Sequence, residues 1–383
     1  MDKNELNKIA EQLIERAKQM SKEKILAFAE GIYGADRDAW EHLWQVPIVS
    51  TYKSEVIFPV ELSSESREDI QAALDECVED QIGDSEATFI PYDHIIASLS
   101  DEGAEEYTQG VESGNIPQEY DAVIVYNEAR LKNEFREHVQ SGLSANPPKS
   151  QEEINQIFLN LVSEIFTHER MHLNASVLLL DNNDQELTPL VNGAELEDIY
   201  SRNFAEYSER NEVLIDTMAK MIQTYTEGDT VEDCLYKVIN SRDGNSSYEY
   251  LDDRLVLSLF TLFPEELSDW MMFGAYGDNH ENLLQQKCTE VFGVEGPIKR
   301  EDMLHKVGEY FSQTASSCLT EERITRRKEM LEMIGVTNIR LEQIQLIDVS
   351  QIEEVAKSEV AMEQLSDAER VVKIVEPAKD IIE

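Results

Sequence analysis

The chain has little glycine, proline and cysteine, and few cationic residues compared with acidic ones. In 383 residues it contains 16 Gly, 10 Pro and 4 Cys, and 33 Lys and Arg against 78 Asp and Glu. Few helix breakers favour a mainly helical chain, and widely spaced cysteines without a C-x-x-C pair favour reduced thiols over disulfides. A net charge of −45 repels nucleic acid phosphates, which argues against DNA and RNA as partners.

Long apolar segments are also missing from the sequence. The longest mainly apolar stretch, Leu255 to Phe263, is too short to span a bilayer. The first residues, Met1 to Glu5, lack the apolar segment of a signal peptide. We therefore expect no membrane association and a cytoplasmic location, with export that needs no cleaved signal left open. The acidic excess favours cationic or neutral partners, and the oligomeric state stays undetermined at this point.

A long helix is predicted from Ser150 to Ser176. Ser150 and Glu153 have the spacing of a capping box, which signals a helix start. Apolar residues then follow the 3.6-residue period of a buried helix face, at Ile154, Ile157, Phe158, Leu161, Val162, Ile165 and Phe166. The pattern predicts that this helix is already packed in the core where it reaches His168.

Near its end this helix carries the sequence His168-Glu169-Arg170-Met171-His172. Two histidines four residues apart project from one side of a helix, so both imidazoles can bind one ion. Glu169 lies one step around the helix, where a carboxylate can take a proton from an attacking water. A surface helix that carries two histidines is the alternative interpretation, and a metal site needs a third ligand.

A second predicted helix, from Leu196 to Tyr225, supplies that ligand. Its residues Glu212 and Asp216 are four apart and share a face. Two carboxylates on a packed face need cations or hydrogen-bond donors nearby, and a metal held by two histidines provides both. We predict Glu212 as a metal ligand and Asp216 as the acceptor for the free N–H of a ligating histidine. The alternative is a solvated helix edge.

Together these segments resemble the motifs of the gluzincin metallopeptidases, whose type member is thermolysin. That family has H-E-x-x-H on one helix and N-E-x-x-x-D on the next. The matching residues are His168, Glu169, His172, Asn211, Glu212 and Asp216. The resemblance implies Zn²⁺ bound by two histidines and Glu212, with Glu169 as the general base. It covers at most residues 120–285, and the gap between the two motifs is longer than in thermolysin.

The resemblance also implies a zincin-like fold and a further catalytic histidine. In this family a sheet lies beside the first metal-ligand helix, and its edge strand binds an extended substrate. Tyr120 to Tyr126 is the candidate strand for that sheet, with an ordinary core strand as the alternative. His280, followed by Glu281 and Asn282, resembles the downstream histidine that stabilises the transition state. A helix-capping loop is the alternative role for His280.

The patterns predict a predominantly helical α+β chain with short strands over 46–62 and 87–91. We expect an N-terminal α/β region over 1–110, a zincin-like metallopeptidase domain over 111–290, and a C-terminal helical region with an acidic tail over 291–383. The predicted function is that of a zinc-dependent metallohydrolase, most readily a peptidase acting on a peptide or protein. A non-enzymatic acidic binding protein, with a structural metal or none, is the alternative.

Overall fold

The structure is a computed structural model that describes residues 2–34, 46, 48–50, 67–68, 71–72, 86–91, 105, 108–109, 122–177, 191–192, 204–241, 251–273, 283–292 and 300–341. Within these residues the chain is mostly helical, with one three-stranded and one two-stranded sheet. The predicted α+β class with predominant helix is therefore confirmed.

Ten helices lie in the described residues. They are α1 (Lys3–Tyr33), α2 (Glu128–Ser144), α3 (Gln151–Ala175), α4 (Phe204–Thr224), α5 (Val231–Ser241), α6 (Leu251–Leu262), α7 (Pro264–Phe273), α8 (Leu283–Phe292), α9 (Arg300–Cys318) and α10 (Glu321–Ile334). The described strands are β1 (Ile48–Val49), β2 (Ala87–Pro91), β3 (Ala122–Tyr126), β4 (Ser176–Val177) and β5 (Val191–Asn192). None of the described helices is both long and apolar enough to cross a bilayer.

The three-stranded sheet has the order β1, β3, β2, with β3 parallel to β1 and antiparallel to β2. The strand predicted over 120–126 is therefore the middle strand of this described sheet, and β2 is an edge strand. Strands β1 and β2 confirm the strands predicted near 46–49 and at 87–91. The second strand predicted before residue 62 lies outside the described residues.

Helix α3 begins as the sequence predicts. The backbone N–H of Ser150 donates to Glu153 Oε2 at 2.6 Å, and that of Glu153 donates to Ser150 Oγ at 3.2 Å, which completes the capping box. The predicted apolar face is buried at Ile154, Phe158, Val162 and Phe166 and half-buried at Leu161 and Ile165. Ile157 is an exception with 37% exposure, because it lies at the outer edge of the apolar stripe, about 100° from Phe158.

Helix α3 lies at the centre of the described fold. It packs against α1, α2, α4 and α7 and against strands β2 and β3. One hydrophobic core includes Phe28 on α1, Phe158 on α3 and Met330 on α10. The predicted domain boundaries stay predictions. The boundary near 110 lies outside the described residues, and the boundary near 290 lies in the last turn of α8. The acidic tail beyond residue 341 also lies outside them.

Candidate metal centre

Helices α3 and α4 bring three ligand atoms together. His168, His172 and Glu212 each offer one such atom, and these atoms lie within 4.8 Å of one another. His168 Nε2 is 3.1 Å from Glu212 Oε2, His172 Nε2 is 3.6 Å from Glu212 Oε1, and the two Nε2 atoms are 3.3 Å apart. The three predicted ligands thus form a group that could hold a metal ion.

The relative direction of the two helices explains this convergence. The histidines lie four residues apart on one face of α3, with ring centroids 5.0 Å apart. Glu212 near the middle of α4 meets them, whereas the later residue Gln223 contacts Ser163, which precedes them on α3. Helix α4 therefore runs antiparallel to α3, and the carboxylate of Glu212 lies opposite both imidazoles.

The two histidines carry different charges in the metal-free protein. Burial alone would lower the pKa of His168, but the hydrogen bond to Glu212 and the nearby carboxylate charges outweigh it and raise that pKa to about 9. Burial lowers the pKa of His172 to about 4, an effect that the charge of Glu212 opposes and that of His168 reinforces. Near pH 7, His172 is therefore neutral, as a metal-binding imidazole must be, whereas His168 must lose a proton before it binds a metal.

The carboxylate of Glu212 is charged near pH 7. Its burial tends to raise its pKa, but the hydrogen bond from His168 and the charges of both imidazoles outweigh this and lower it. The side chain keeps 39% exposure. Glu212 is therefore ready to bind a cation without losing a proton.

Glu169 lies buried beside the ligands, with 8% exposure. Burial raises its pKa to about 7, the charge of His168 opposes this rise, and the charge of Glu212 adds to it. A hydrogen bond from the backbone N–H of Phe89 also favours the charged form. A carboxyl group with a pKa near neutrality can both accept and return a proton at pH 7, which is the behaviour that a general base needs.

Strand β2 adds a residue to the site that the sequence did not point to. The ring of Phe89 stacks on that of His172, with centroids 5.7 Å apart and 20° between the planes. The backbone N–H of the same residue donates to Glu169. Phe89 thus contacts both a ligand and the proposed base. Apart from the predicted strand itself, no local pattern marked it, because the contact joins residues eighty positions apart.

Asp216 lies on the ligand face of α4, one turn after Glu212. Its carboxylate accepts a hydrogen bond from Lys220 Nζ at 2.7 Å, and its side chain is 13% exposed. Its charge contributes to the raised pKa of His168. The predicted hydrogen bond from a ligating histidine to Asp216 stays a prediction. The partner Lys220 could have been found in the sequence, because acid and base four residues apart on a helix pair readily.

A further carboxyl group lies on α3, one turn before His168. Burial raises the pKa of Glu164, the charge of Lys220 lowers it, and that of Asp216 raises it. Glu164, Glu169 and Asp216 thus add acidic groups near the three ligands, one of which, Glu212, is itself acidic. Such an environment favours a bound cation over a bound anion.

Two predicted site residues lie wholly or partly outside the described residues. His280 lies outside the described residues, and Asn211 is described only as part of the α4 backbone. The catalytic role of His280 and the part of Asn211 in the motif therefore stay predictions.

No protein-family model, curated protein or solved structure matches this chain.

Proposed function

We propose that the chain is a zinc-dependent metallohydrolase, a peptidase of the gluzincin type with a zincin-like fold. The observation that carries the proposal is the convergence of two imidazoles and one carboxylate beside the buried Glu169. Two histidines and a glutamate are the ligands of one group of catalytic zinc sites, in which a fourth position stays open for water. Structural zinc sites use four ligands, often cysteines, and no cysteine joins the three ligands in the described residues.

The donor set fits Zn²⁺, which prefers nitrogen, sulfur and carboxylate ligands in tetrahedral arrangement. His168, His172 and Glu212 would hold the ion, His172 as the neutral imidazole that it already is near pH 7 and His168 after loss of its proton. When bound, the ion supplies Lewis acidity that polarises a carbonyl group and lowers the pKa of water to about 7. The negative charge of Glu212 offsets part of the ion's charge.

Glu169 moves the proton in this proposal. Its carboxylate takes a proton from water as the water oxygen bonds to the scissile carbonyl carbon. It then gives this proton to the amine nitrogen as the C–N bond breaks. Burial raises the pKa of Glu169 to about 7 in the metal-free protein, and a bound cation would lower it, so that the group is a carboxylate ready to accept the proton. The N–H of Phe89 keeps the carboxylate oriented between the two transfers.

A peptide is the substrate that the surroundings favour. Strand β2 lies at the edge of the described sheet, and its residue Phe89 contacts both His172 and Glu169. An extended peptide that added to this edge by backbone hydrogen bonds would run past the ligands. The acidic groups around the site favour neutral or basic peptides.

The test compares two substitutions that affect different parts of this mechanism. Glu169→Gln keeps the size of the side chain but cannot act as a base near pH 7. We expect zinc content and thermal stability close to those of the parent, and cleavage of a peptide library reduced by roughly 10²–10⁴-fold. The matched variant His168→Ala should lose both zinc and cleavage. Mass spectrometry of one substrate pool measures all three proteins, and equal cleavage by parent and Glu169→Gln would exclude the mechanism.

A further inference from the structure

A network of buried polar side chains joins three helices next to the metal centre. Ser21 on α1 and Ser163 and Thr167 on α3 are fully buried. Thr167 Oγ1 lies 2.9 Å from Ser21 Oγ and 2.8 Å from the carbonyl oxygen of Ser163. Arg170 Nη1 also donates to Ser21 Oγ at 2.7 Å, so Ser21 on α1 is hydrogen-bonded to two side chains of α3.

Gln223 is the only residue of α4 that enters this network in the described part of the chain. Its Nε2 lies 2.8 Å from Thr167 Oγ1, 3.1 Å from Ser163 Oγ and 3.2 Å from the carbonyl oxygen of Ser163. The backbone carbonyl oxygen of Gln223 accepts a hydrogen bond from Lys24 Nζ on α1 at 3.1 Å. The amide of Gln223 thus donates to α3, and its backbone ties α4 to α1.

The position of Gln223 on α4 relates it to the metal ligand. It follows Glu212 by eleven residues, which is three helical turns and about 16 Å along the axis, so both side chains leave α4 on the same face. Its partners Ser163 and Thr167 precede His168 on α3. Helices α3 and α4 therefore make polar contacts at two positions along their length. One is at Gln223 and the other is at the metal ligands.

Apolar packing alone does not fix how far one helix has slid along another. Attraction between apolar side chains is non-directional, whereas buried hydrogen bonds require one geometry. Specifying register is the best-attested use of buried polar groups between helices. A metal site needs such support, because its ligands must stay within about 0.5 Å of the productive geometry.

We propose that Gln223 is a positioning residue for the metal centre. Its amide locks α4 against Ser163 and Thr167 and thereby sets the register in which Glu212 meets His168 and His172. The consequence for metal binding rests on the proposed function. The hydrogen bonds from Gln223 to Ser163 and Thr167, called the lock below, do not require a metal and can be tested separately.

The test uses two substitutions on α4. Gln223→Met keeps the length of the side chain and removes the donor. Thr217→Val is the control, because Thr217 is a fully buried polar residue of α4 whose hydroxyl donates only within α4, to the carbonyl oxygen of Val213 at 2.7 Å, whereas the half-buried Gln223 donates to α3. We expect Gln223→Met to weaken zinc affinity by roughly 10-fold, the low end of the loss seen when a direct hydrogen-bond partner of a ligand is removed, because Gln223 acts through the position of α4 and contacts no ligand. Thr217→Val should leave the affinity unchanged, although both variants melt a few degrees below the parent.

Competition with a chromophoric chelator measures the affinities, and equal affinities in the two variants would overturn the proposal. Hydrogen exchange of the metal-free proteins tests the lock alone. Gln223→Met should lose protection in both α3 and α4, and Thr217→Val in α4 only. A parent that binds no zinc would refute the proposed function, and the lock would then be judged by exchange. Identical exchange patterns in both variants would refute the lock.

Discussion

At the scale of single residues, the protonation of His168 links the metal-free and metal-bound proteins. The hydrogen bond to Glu212 helps to raise its pKa from an ordinary value of 6.5 to about 9. This raised pKa stabilises the folded metal-free protein below pH 6.5, and the contribution is lost as the pH rises through about 9. A metal and a proton therefore compete for His168 over the whole physiological range.

From this competition we predict that zinc affinity rises about tenfold per pH unit between pH 6 and 8, because each bound ion displaces one proton. Calorimetry in buffers of different ionisation enthalpy counts this proton directly at pH 7. The measurement is best made on Glu169→Gln, so that the carboxyl group at this position releases no proton of its own. A pH-independent affinity would mean that His168 is neutral in the metal-free protein.

Asp216 offers a second prediction at this scale. Its charge acts on His168, and its hydrogen bond goes to Lys220. We expect Asp216→Ala to weaken zinc affinity by roughly 10–100-fold, since a negative group that supports a ligand is lost without loss of the ligand itself. Lys220→Met is the matched control, because it removes the partner and leaves the carboxylate. If both variants bind zinc as the parent does, Asp216 serves only the ion pair on α4.

At the scale of elements, the two ligand helices could be predicted because their signals are local. The capping box at Ser150 and Glu153 and the apolar period fixed the start and the buried face of α3. A spacing of four residues predicted His168 and His172 on one face of α3, and the same spacing predicted Glu212 and Asp216 on one face of α4. That these faces meet was a hypothesis from the motif resemblance, and the distances between the ligand atoms confirm it.

The contacts between distant elements could not be predicted in the same way. Neither the middle position of β3 in the described sheet nor the place of Phe89 beside the ligands follows from a local pattern, because strand order depends on long-range pairing. Gln223 is an intermediate case. Its spacing of three turns from Glu212 was visible in the sequence, but its partners Ser163 and Thr167 became known only from the packing of α4 on α3.

The buried side chain of Arg327 links helix α10 to neighbouring helices by hydrogen bonds. Arg327 Nε donates to Glu232 Oε1 at 2.8 Å, and Arg327 Nη1 donates to the carbonyl oxygen of Leu262 at 2.7 Å. Arg327 and Glu232 are 5% and 4% exposed. These bonds join α10 to α5 and to the end of α6, where apolar contacts alone would leave polar groups unsatisfied.

We predict that Arg327→Ala lowers the free energy of unfolding by about 1–3 kcal/mol, because the buried carboxylate of Glu232 loses one hydrogen-bond partner and keeps the other, Arg323 Nε at 2.7 Å. Lys328→Ala is the control on the same helix, since the ion pair of Lys328 with Glu332 is exposed and contributes less than about 1 kcal/mol. Urea unfolding followed by circular dichroism measures both variants. Losses of equal size would mean that the buried pair contributes no more than a surface pair.

At the scale of the whole molecule, the ligands lie on two helices, α3 and α4, that belong to the hydrophobic core of the described fold. Helix α3 packs against other helices and against the three-stranded sheet, and its neighbours α1 and α4 share the polar network beside the site. A metal ion bound between α3 and α4 therefore ties together elements that already form one core. The net charge of −45 makes this molecule a favourable environment for a cation, because each bound positive charge reduces self-repulsion.

The central claim, that this core holds a catalytic zinc ion, is tested most directly by the reversibility of cleavage. The rate at which the purified chain cleaves a broad peptide pool is measured as purified, after chelation and dialysis, and after return of one equivalent of zinc. We predict cleavage in the first sample, loss of that cleavage on chelation, and its recovery with zinc because the ligands and Glu169 are restored together. A chain that holds one zinc ion yet cleaves nothing in the pool, or that cleaves equally well after complete removal of the metal, would contradict the account.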